Sequence, residues 1–288
     1  PYRQLWGRAD LNSGRKESIG GASKPSNIPI LSVNRFTAGM QAGMTNPARL
    51  WYHFSLRDKT LLEDDEVARY LTDCELVLWD SLGGSNFYQQ MADGVYPDLW
   101  ATGTAVLWQE EDAEKDLWFE ALVPGEYYLD IDKNGNVDTC LRVRHFTVKQ
   151  MVEDFGRNAV SEQVRLAWGR GDLSSLFEVY QLVTPNHDWA SGELGTAGKR
   201  WSSVWWESTS PDGILRERGY EEFPAHAPRW SVRSGDVYGR GPGWYSKGDC
   251  AELQAHEIQA AKLVDLTAEP PMVSHGVKGR ASLCPGDL

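Results

Sequence analysis

The sequence predicts an α+β protein, and three of its features carry that expectation. A hydrophobic stripe at helical spacing follows Asp64-Asp65, β-branched and aromatic segments alternate with turn residues from Gly103 onward, and the stretch from Asp249 to Ala268 holds neither glycine nor proline. The chain has 288 residues, 41% of them hydrophobic, which can fill one large core or two ordinary ones and excludes a wholly disordered polypeptide.

In chain order, residues 1–30 are rich in Gly, Ser, Asn and Lys and read as an arm. Leu31 to Gly43 reads as a helix through Leu31, Phe36 and Met40, with Gly39 and Gly43 able to admit a second backbone closely. The clearest helix starts at Asp64-Asp65, where negative charge suits an N-terminus, and places Val67, Tyr70, Leu71, Cys74, Val77, Leu78 and Leu82 on one stripe before Gly83-Gly84. A second helix runs from Ser85 through Phe87, Met91 and Tyr96. Four strands then form a meander at Thr104–Gln109, Trp118–Val123, Tyr127–Asp132 and Val137–Phe146.

Thr147-Val148-Lys149-Gln150 has capping-box spacing, and Phe146 with Met151 supplies a hydrophobic staple, so a short helix begins there and Gly156 ends it. Ser161 to Trp168 reads as a further helix, followed by strands at Leu176–Val183, Trp201–Glu207 and Ile214–Arg218, with Pro185–Gly198 an exposed loop. Gly239, Gly241, Pro242 and Gly243 read as a flexible joint. Asp249 then caps a helix to Ala268, about 30 Å long at 1.5 Å per residue. Leu253, Ala260 and Val264 mark one flank of it, and Ala251, Ala255, Ile258 and Ala261 another, a pattern that suits packing between two like neighbours.

The charge balance is 29 basic against 41 acidic residues, net -12, which disfavours a protein that grips phosphates along its whole surface. Cys74, Cys140, Cys250 and Cys284 stand far apart with no Cys-x-x-Cys pair, so neither a zinc knuckle nor a disulfide framework is indicated and a reducing compartment is expected. No stretch has the ~20 apolar residues a bilayer span needs, and no basic-then-apolar leader pattern opens the sequence. The 13 tryptophans are read first as core, then as subunit interface, and last as a sugar platform.

Several segments imitate chemical sites. Asp130 to Asp138 matches most of a calcium EF-hand loop, but its twelfth position is Leu141 and its flanks read as strands, so a two-residue turn at Asn134-Gly135 is favoured. Gly195 to Arg200 lacks the spacing and the Ser or Thr of a phosphate loop, and the glycines at Tyr238–Gly243 read as a hinge rather than a phosphate cradle. His53, His145, His187, His226, His256 and His275 show no metal-ligand spacing, and Glu110-Glu111-Asp112 and Glu221-Glu222 read as solvated faces. Neither a catalytic residue nor a metal or cofactor site is assigned.

An ordered series of segments resembles the head-to-tail connector (portal) family of short-tailed bacteriophages. They are Gly39-Met40-Gln41-Ala42-Gly43-Met44-Thr45-Asn46-Pro47-Ala48-Arg49 with Trp51, Ser85-Asn86-Phe87-Tyr88, Gly103-Thr104-Ala105-Val106 and Pro124-Gly125-Glu126-Tyr127-Tyr128. Phe146-Thr147-Val148-Lys149-Gln150, Phe155-Gly156, Arg229-Trp230, Tyr238-Gly239-Arg240 and Pro270-Pro271 continue the series. The resemblance implies a structural ring, commonly of twelve subunits, at one capsid vertex, and no enzyme. Its implied partners are a tail adaptor, a terminase during packaging, capsid and scaffold proteins, and double-stranded DNA passing without sequence readout. It implies residence in the virion, after assembly in the host cytoplasm, and no membrane partner.

On that mapping, residues 1–30 are an arm, 31–240 a wing, 241–268 a hinge and first stem helix, and 269–288 the start of a clip. Asp249, Glu252, Leu253, Glu257, Ile258, Ala261, Lys262 and Asp265 are candidates for the subunit interface or channel. Pro270, Pro271 and Met272 are candidates for the side facing tail and terminase. Gly241 stands where the family usually has a serine, and family members are considerably longer, so the chain reads as truncated. A tryptophan-rich glycan-binding or glycan-cleaving protein is the alternative, and would need exposed aromatic rows and a convergent carboxylate pair. A calcium-binding module would need metal at the Asp130 loop.

Overall fold

A computed structural model describes residues 27–112, 116–190, 192–193 and 195–268. The chain divides into two compact units, residues 34–244 and residues 1–33 with 245–288. Helix α1 is Ile28–Gly43, so the arm expected over 1–30 lies outside the described residues only to residue 26, and the helix begins earlier than Leu31. Nothing approaches within 4 Å of a Cβ built on Gly39 or Gly43, so in this protomer neither glycine serves close packing.

Helix α2, Asp65–Gly84, is capped by Asp64, whose side chain accepts from the Glu66 N–H at 2.9 Å. Its stripe is narrower than the sequence spacing implied. Leu82 is buried, Leu78 packs against the same core and Cys74 is half-buried, but Tyr70 and Val77 are exposed. Glu75 is buried in their stead, because its carboxylate accepts from the Phe54 N–H at 2.6 Å and faces His53 Nδ1 at 3.1 Å. The single helix expected from Ser85 is three pieces: α3 at Phe87–Gln90, a π-helical turn at Met91–Val95, and α4 at Tyr96–Ala101. Pro97 sits in the first turn of α4, where the backbone is already helical at Val95 and Tyr96, so its missing N–H falls at the π-helical widening of the ladder.

The meander is divided between two sheets. Strands β1 (Val106–Asp112) and β2 (Asp116–Leu122) pair antiparallel, and β8 (Ala225–His226), unforeseen in the sequence, adds to β1 to give the order β2-β1-β8. Strands β3 (Tyr127–Ile131), β4 (Val137–Thr147), β5 (Leu176–Pro185), β6 (Trp201–Glu207) and β7 (Ser210–Tyr220) form an antiparallel five-stranded sheet in sequence order. Helix α5, Val148–Phe155, has the expected capping box, with Gly156 following at φ 83°, and α6, Glu162–Gly169, is capped by Ser161.

Three cores result. Leu82, Phe87, Tyr96, Leu99, Leu107 and Phe119 fill the first, under the helices. Val106, Trp108, Leu122, Leu129, Cys140 and Val183 join the two sheets in the second. Phe146, Met151, Val164, Val179, Trp205 and Leu215 seat α5 and α6 on the five-stranded sheet in the third. The free edge of β2 is closed by side chains: Asn86 donates to the Phe119 carbonyl at 2.6 Å and accepts from its N–H at 2.9 Å, and Gln90 accepts from the Ala121 N–H at 2.9 Å. An amide side chain thus supplies what a further strand would, and blunts an edge open to stray pairing.

Helix α7 spans Pro242–Ala268, 27 residues or about 40 Å. It begins seven residues before Asp249, which is therefore not its cap. Pro242 opens it with a φ already suited to a helix, and Gly243 and Gly248 are carried inside it despite their cost.

Candidate functional site

The interface candidates of the sequence all lie on α7, and none of its residues is buried. Asp249, Glu252, Ile258, Ala261, Lys262 and Asp265 are exposed, and Leu253 and Glu257 half-buried. At about 100° per residue, Leu253, Ala260 and Val264 fall within about 20° of one line. Ala251, Ala255 and Ile258 fall about 140–200° away, where Trp244 and Leu266 extend the same flank and Lys262 lies within it, whereas Ala261 lies between the two. Val264 is 66% exposed and Trp244 60%. The helix also carries Asp249, Glu252, Glu257 and Asp265 against Lys247 and Lys262, with Glu252 paired to His256 at 3.4 Å. Pro270, Pro271 and Met272 lie outside the described residues.

The glycines ahead of α7 are packed against backbone. A Cβ on Gly241 would stand 2.3 Å from the Leu99 carbonyl oxygen, one on Gly239 2.4 Å from that of Gly103, and one on Gly243 2.8 Å from Trp100. Gly103 itself has φ 82° and would meet Gly241 N at 2.2 Å. Segments distant in sequence are brought together here. Trp230 N–H donates to the Gly103 carbonyl at 2.9 Å, Gly239 N–H donates to Thr104 Oγ1 at 2.7 Å, and the Leu129 N–H donates to the Tyr238 hydroxyl at 3.0 Å. Arg229 reaches the Gly135 carbonyl at 2.6 Å and that of Val237 at 3.2 Å. Gly103-Thr104, Arg229-Trp230 and Tyr238-Gly239-Arg240, three of the family-like segments, are one structural knot.

A polar cluster between the sheets was missed in the sequence. Arg142 of β4 is buried, with its guanidinium 4.1 Å over the Trp108 ring, bonded to Glu120 of β2 and 3.4 Å from Gln181 of β5. Gln181 in turn donates to Ser203 at 3.2 Å and to the Tyr220 hydroxyl at 3.4 Å. Burial lowers the Arg142 pKa and Glu120 counteracts it; burial raises that of Tyr220. The signal was present: Arg142 shares strand parity with Cys140 and Phe146, both buried.

Asp98, in the first turn of α4, is pushed by burial to about 7 from an ordinary 3.8. The folded form therefore holds a proton that the unfolded chain releases, and this contribution to stability is full below about pH 4 and lost as pH rises through 7. Asp98→Asn should flatten that slope, as seen by urea unfolding at pH 4.5 and 8; equal slopes in both proteins would contradict it. Cys140 is pushed up by burial to about 12 and is an inert thiol at neutral pH.

The calcium-like loop is a turn closed on itself. Asp132 accepts from the N–H groups of Asn134 and Asn136, each at 2.8 Å, and the Asn136 bond foremost holds its carboxyl below the ordinary range. Gly135 has φ 84° but Asn134 does not have positive φ, so the connection is a three-residue loop with Gly135 left-handed, not the two-residue turn expected. Among the described residues no group of His, Cys, Asp and Glu could hold a metal ion, and no helix is long and apolar enough to cross a membrane. Trp108 and Trp205 are core, whereas Trp118, Trp189, Trp230 and Trp244 are exposed on separate elements.

Mixed helices and sheets, with a helix of 27 residues none of which is buried, define the class as an α+β protein. The comparisons with known proteins give that class its family. A family model for the bacteriophage head to tail connecting protein matches residues 1–288, and the chain belongs to that family. It is 35% identical over 256 residues to the portal protein of Salmonella phage epsilon15, a match covering 88% of this chain and 46% of that protein. It is 32% identical over 247 residues to the probable portal protein of Bordetella phage BPP-1, covering 85% of this chain and 44% of that one. The chain spans less than half the length of these relatives.

Proposed function

We propose that this chain is part of the subunit of a closed ring at the portal vertex of a phage capsid, a conduit for DNA during packaging and ejection. One observation carries the reading: among the described residues α7 is 27 residues long, none of them is buried, and it bears apolar side chains on two opposed flanks, with Lys262 set into the second. A lone surface helix buries one stripe, and two open flanks fit a head-to-tail contact that closes by rotation. The names of the two relatives support the same place in the virion. Residues 31–240 are then the wing, 241–268 the joint and first stem helix, and 269–288 the start of the clip, with Pro270, Pro271 and Met272 toward tail adaptor and terminase. Twelve copies, contacts with capsid and scaffold, and assembly in the host cytoplasm belong to the same proposal.

DNA passes such a ring without base readout. The carboxylates of α7 outnumber its lysines, so little counterion release rewards adhesion there. Electron micrographs and native mass spectra of the full-length protein should show closed rings, and a monomer at every concentration and salt would overturn the proposal. Filter binding across a salt series should find no preferred sequence.

A further inference from the structure

The five-stranded sheet has two faces of unlike character. The register places Cys140, Arg142, Val179, Gln181, Ser203 and Trp205 on the face that meets the smaller sheet and helices α5 and α6. The alternate positions hold Tyr128 on β3, Leu141 and Val143 on β4, Tyr180 and Leu182 on β5, Val204 and Trp206 on β6 and Ile214 on β7, one apolar band across all five strands. None of these side chains belongs to any of the three cores, and Tyr128 and Ile214 are 57% and 58% exposed. Tyr180 stacks on Trp206 with ring centroids 5.5 Å apart, so the band is held flat. Its charged positions are Asp130, Glu178 and Glu217, with His145 3.9 Å from Glu178, and no lysine or arginine faces that way. The other six apolar side chains of the band are half-buried, and a contiguous apolar band rimmed by charge is the mark of an interaction surface.

The opposite side of the same layer is helical, and its 157–173 stretch carries three arginines against two carboxylates. Helix α6 turns Val164 inward and Leu166 outward, the latter 52% exposed, beside Arg165. Arg157, Arg170 and Leu173 continue this surface, with Glu162 and Asp172 as its carboxylates, Asp172 accepting from the Ser175 hydroxyl at 2.5 Å and remaining charged. We infer that the bare sheet face of one copy receives the 157–173 helical surface of the next copy. The two surfaces lie on opposite sides of one layer, one acidic and apolar, the other apolar with three arginines against two carboxylates, and such opposed, complementary faces are the arrangement a head-to-tail contact requires. The inference rests on the ring proposed above and assigns the wing surfaces through which its neighbours touch.

The test uses the full-length protein in two exposed-residue variants, Tyr128→Lys with Ile214→Lys on the sheet, and Arg165→Glu with Leu166→Glu on the helix. Each should keep the circular dichroism of the parent and raise, tenfold or more, the subunit concentration at which rings fall apart in mass photometry. An equimolar mixture should regain rings, because lysine-bearing sheets then meet glutamate-bearing helices. Variants that assemble like the parent, or a mixture that gains nothing over either alone, overturn the pairing of these faces while leaving the ring. A parent that never closes overturns the ring and this contact with it.

Discussion

Glu120→Ala is expected to destabilise the protein by about 2–3 kcal/mol, below the range for removing one partner of a fully buried ion pair because Glu120 itself is 39% exposed. Arg142 is the side chain that makes the loss severe. It is buried between two sheets, its Nε already has no hydrogen-bond partner, and without Glu120 its closest polar contact is Gln181 at 3.4 Å. The reverse deletion should be milder. Glu120 is 39% exposed, so Arg142→Met leaves a carboxylate that water can reach, and the thioether can lie under Trp108 where the guanidinium lay. We expect about 1–2 kcal/mol for Arg142→Met, and almost nothing more when Glu120→Ala is added to it. Urea unfolding of the three variants measures this, and simple additivity of the two single effects would show that the pair does not act as a unit.

Local signals were legible in the sequence where one segment determines its own conformation. Thr147 and Gln150 specify the start of α5 within four residues, and Asp64 specifies that of α2, because caps are short-range chemistry. What the sequence hid was set by partners far along the chain. The split of the meander into two sheets depends on β8, two residues long and a hundred residues downstream of the strand it joins. The glycines at 239, 241 and 243 read as slack, yet the backbone of residues 99–103 leaves no room for a Cβ at them. A serine at 241 would need that approach to open. Asp249 looked like a cap because glycine and proline precede it, and tertiary packing of Gly243 on Trp100 carried the helix past that signal. Of the candidate site, the two flanks of α7 were visible as periodicity, but the sheet face was not: an apolar residue at alternate strand positions looks the same whether a neighbour covers it or not.

Ile258→Asp should abolish ring formation while leaving the protomer folded. Ile258 is 43% exposed and no residue of α7 is buried, so the substitution opens no cavity in a described core, and helix propensity changes little. In a closed ring the same position lies on the flank with Ala251, Ala255 and Leu266, where a neighbour's helix would strip it of water. A carboxylate there has Lys262 one turn on as its partner, yet stripping the pair of water still costs on the order of 2 kcal/mol, and symmetry repeats the cost at every contact, so a modest penalty per subunit becomes prohibitive for the assembly. Ala261→Asp should weaken assembly less, since Ala261 lies between the flanks, and Ile258→Val should leave it intact. Native mass spectrometry of the full-length variants separates these outcomes. Rings of parental mass from Ile258→Asp would mean that this flank faces solvent in the assembly, and the ring would then have to be held by other surfaces of the subunit.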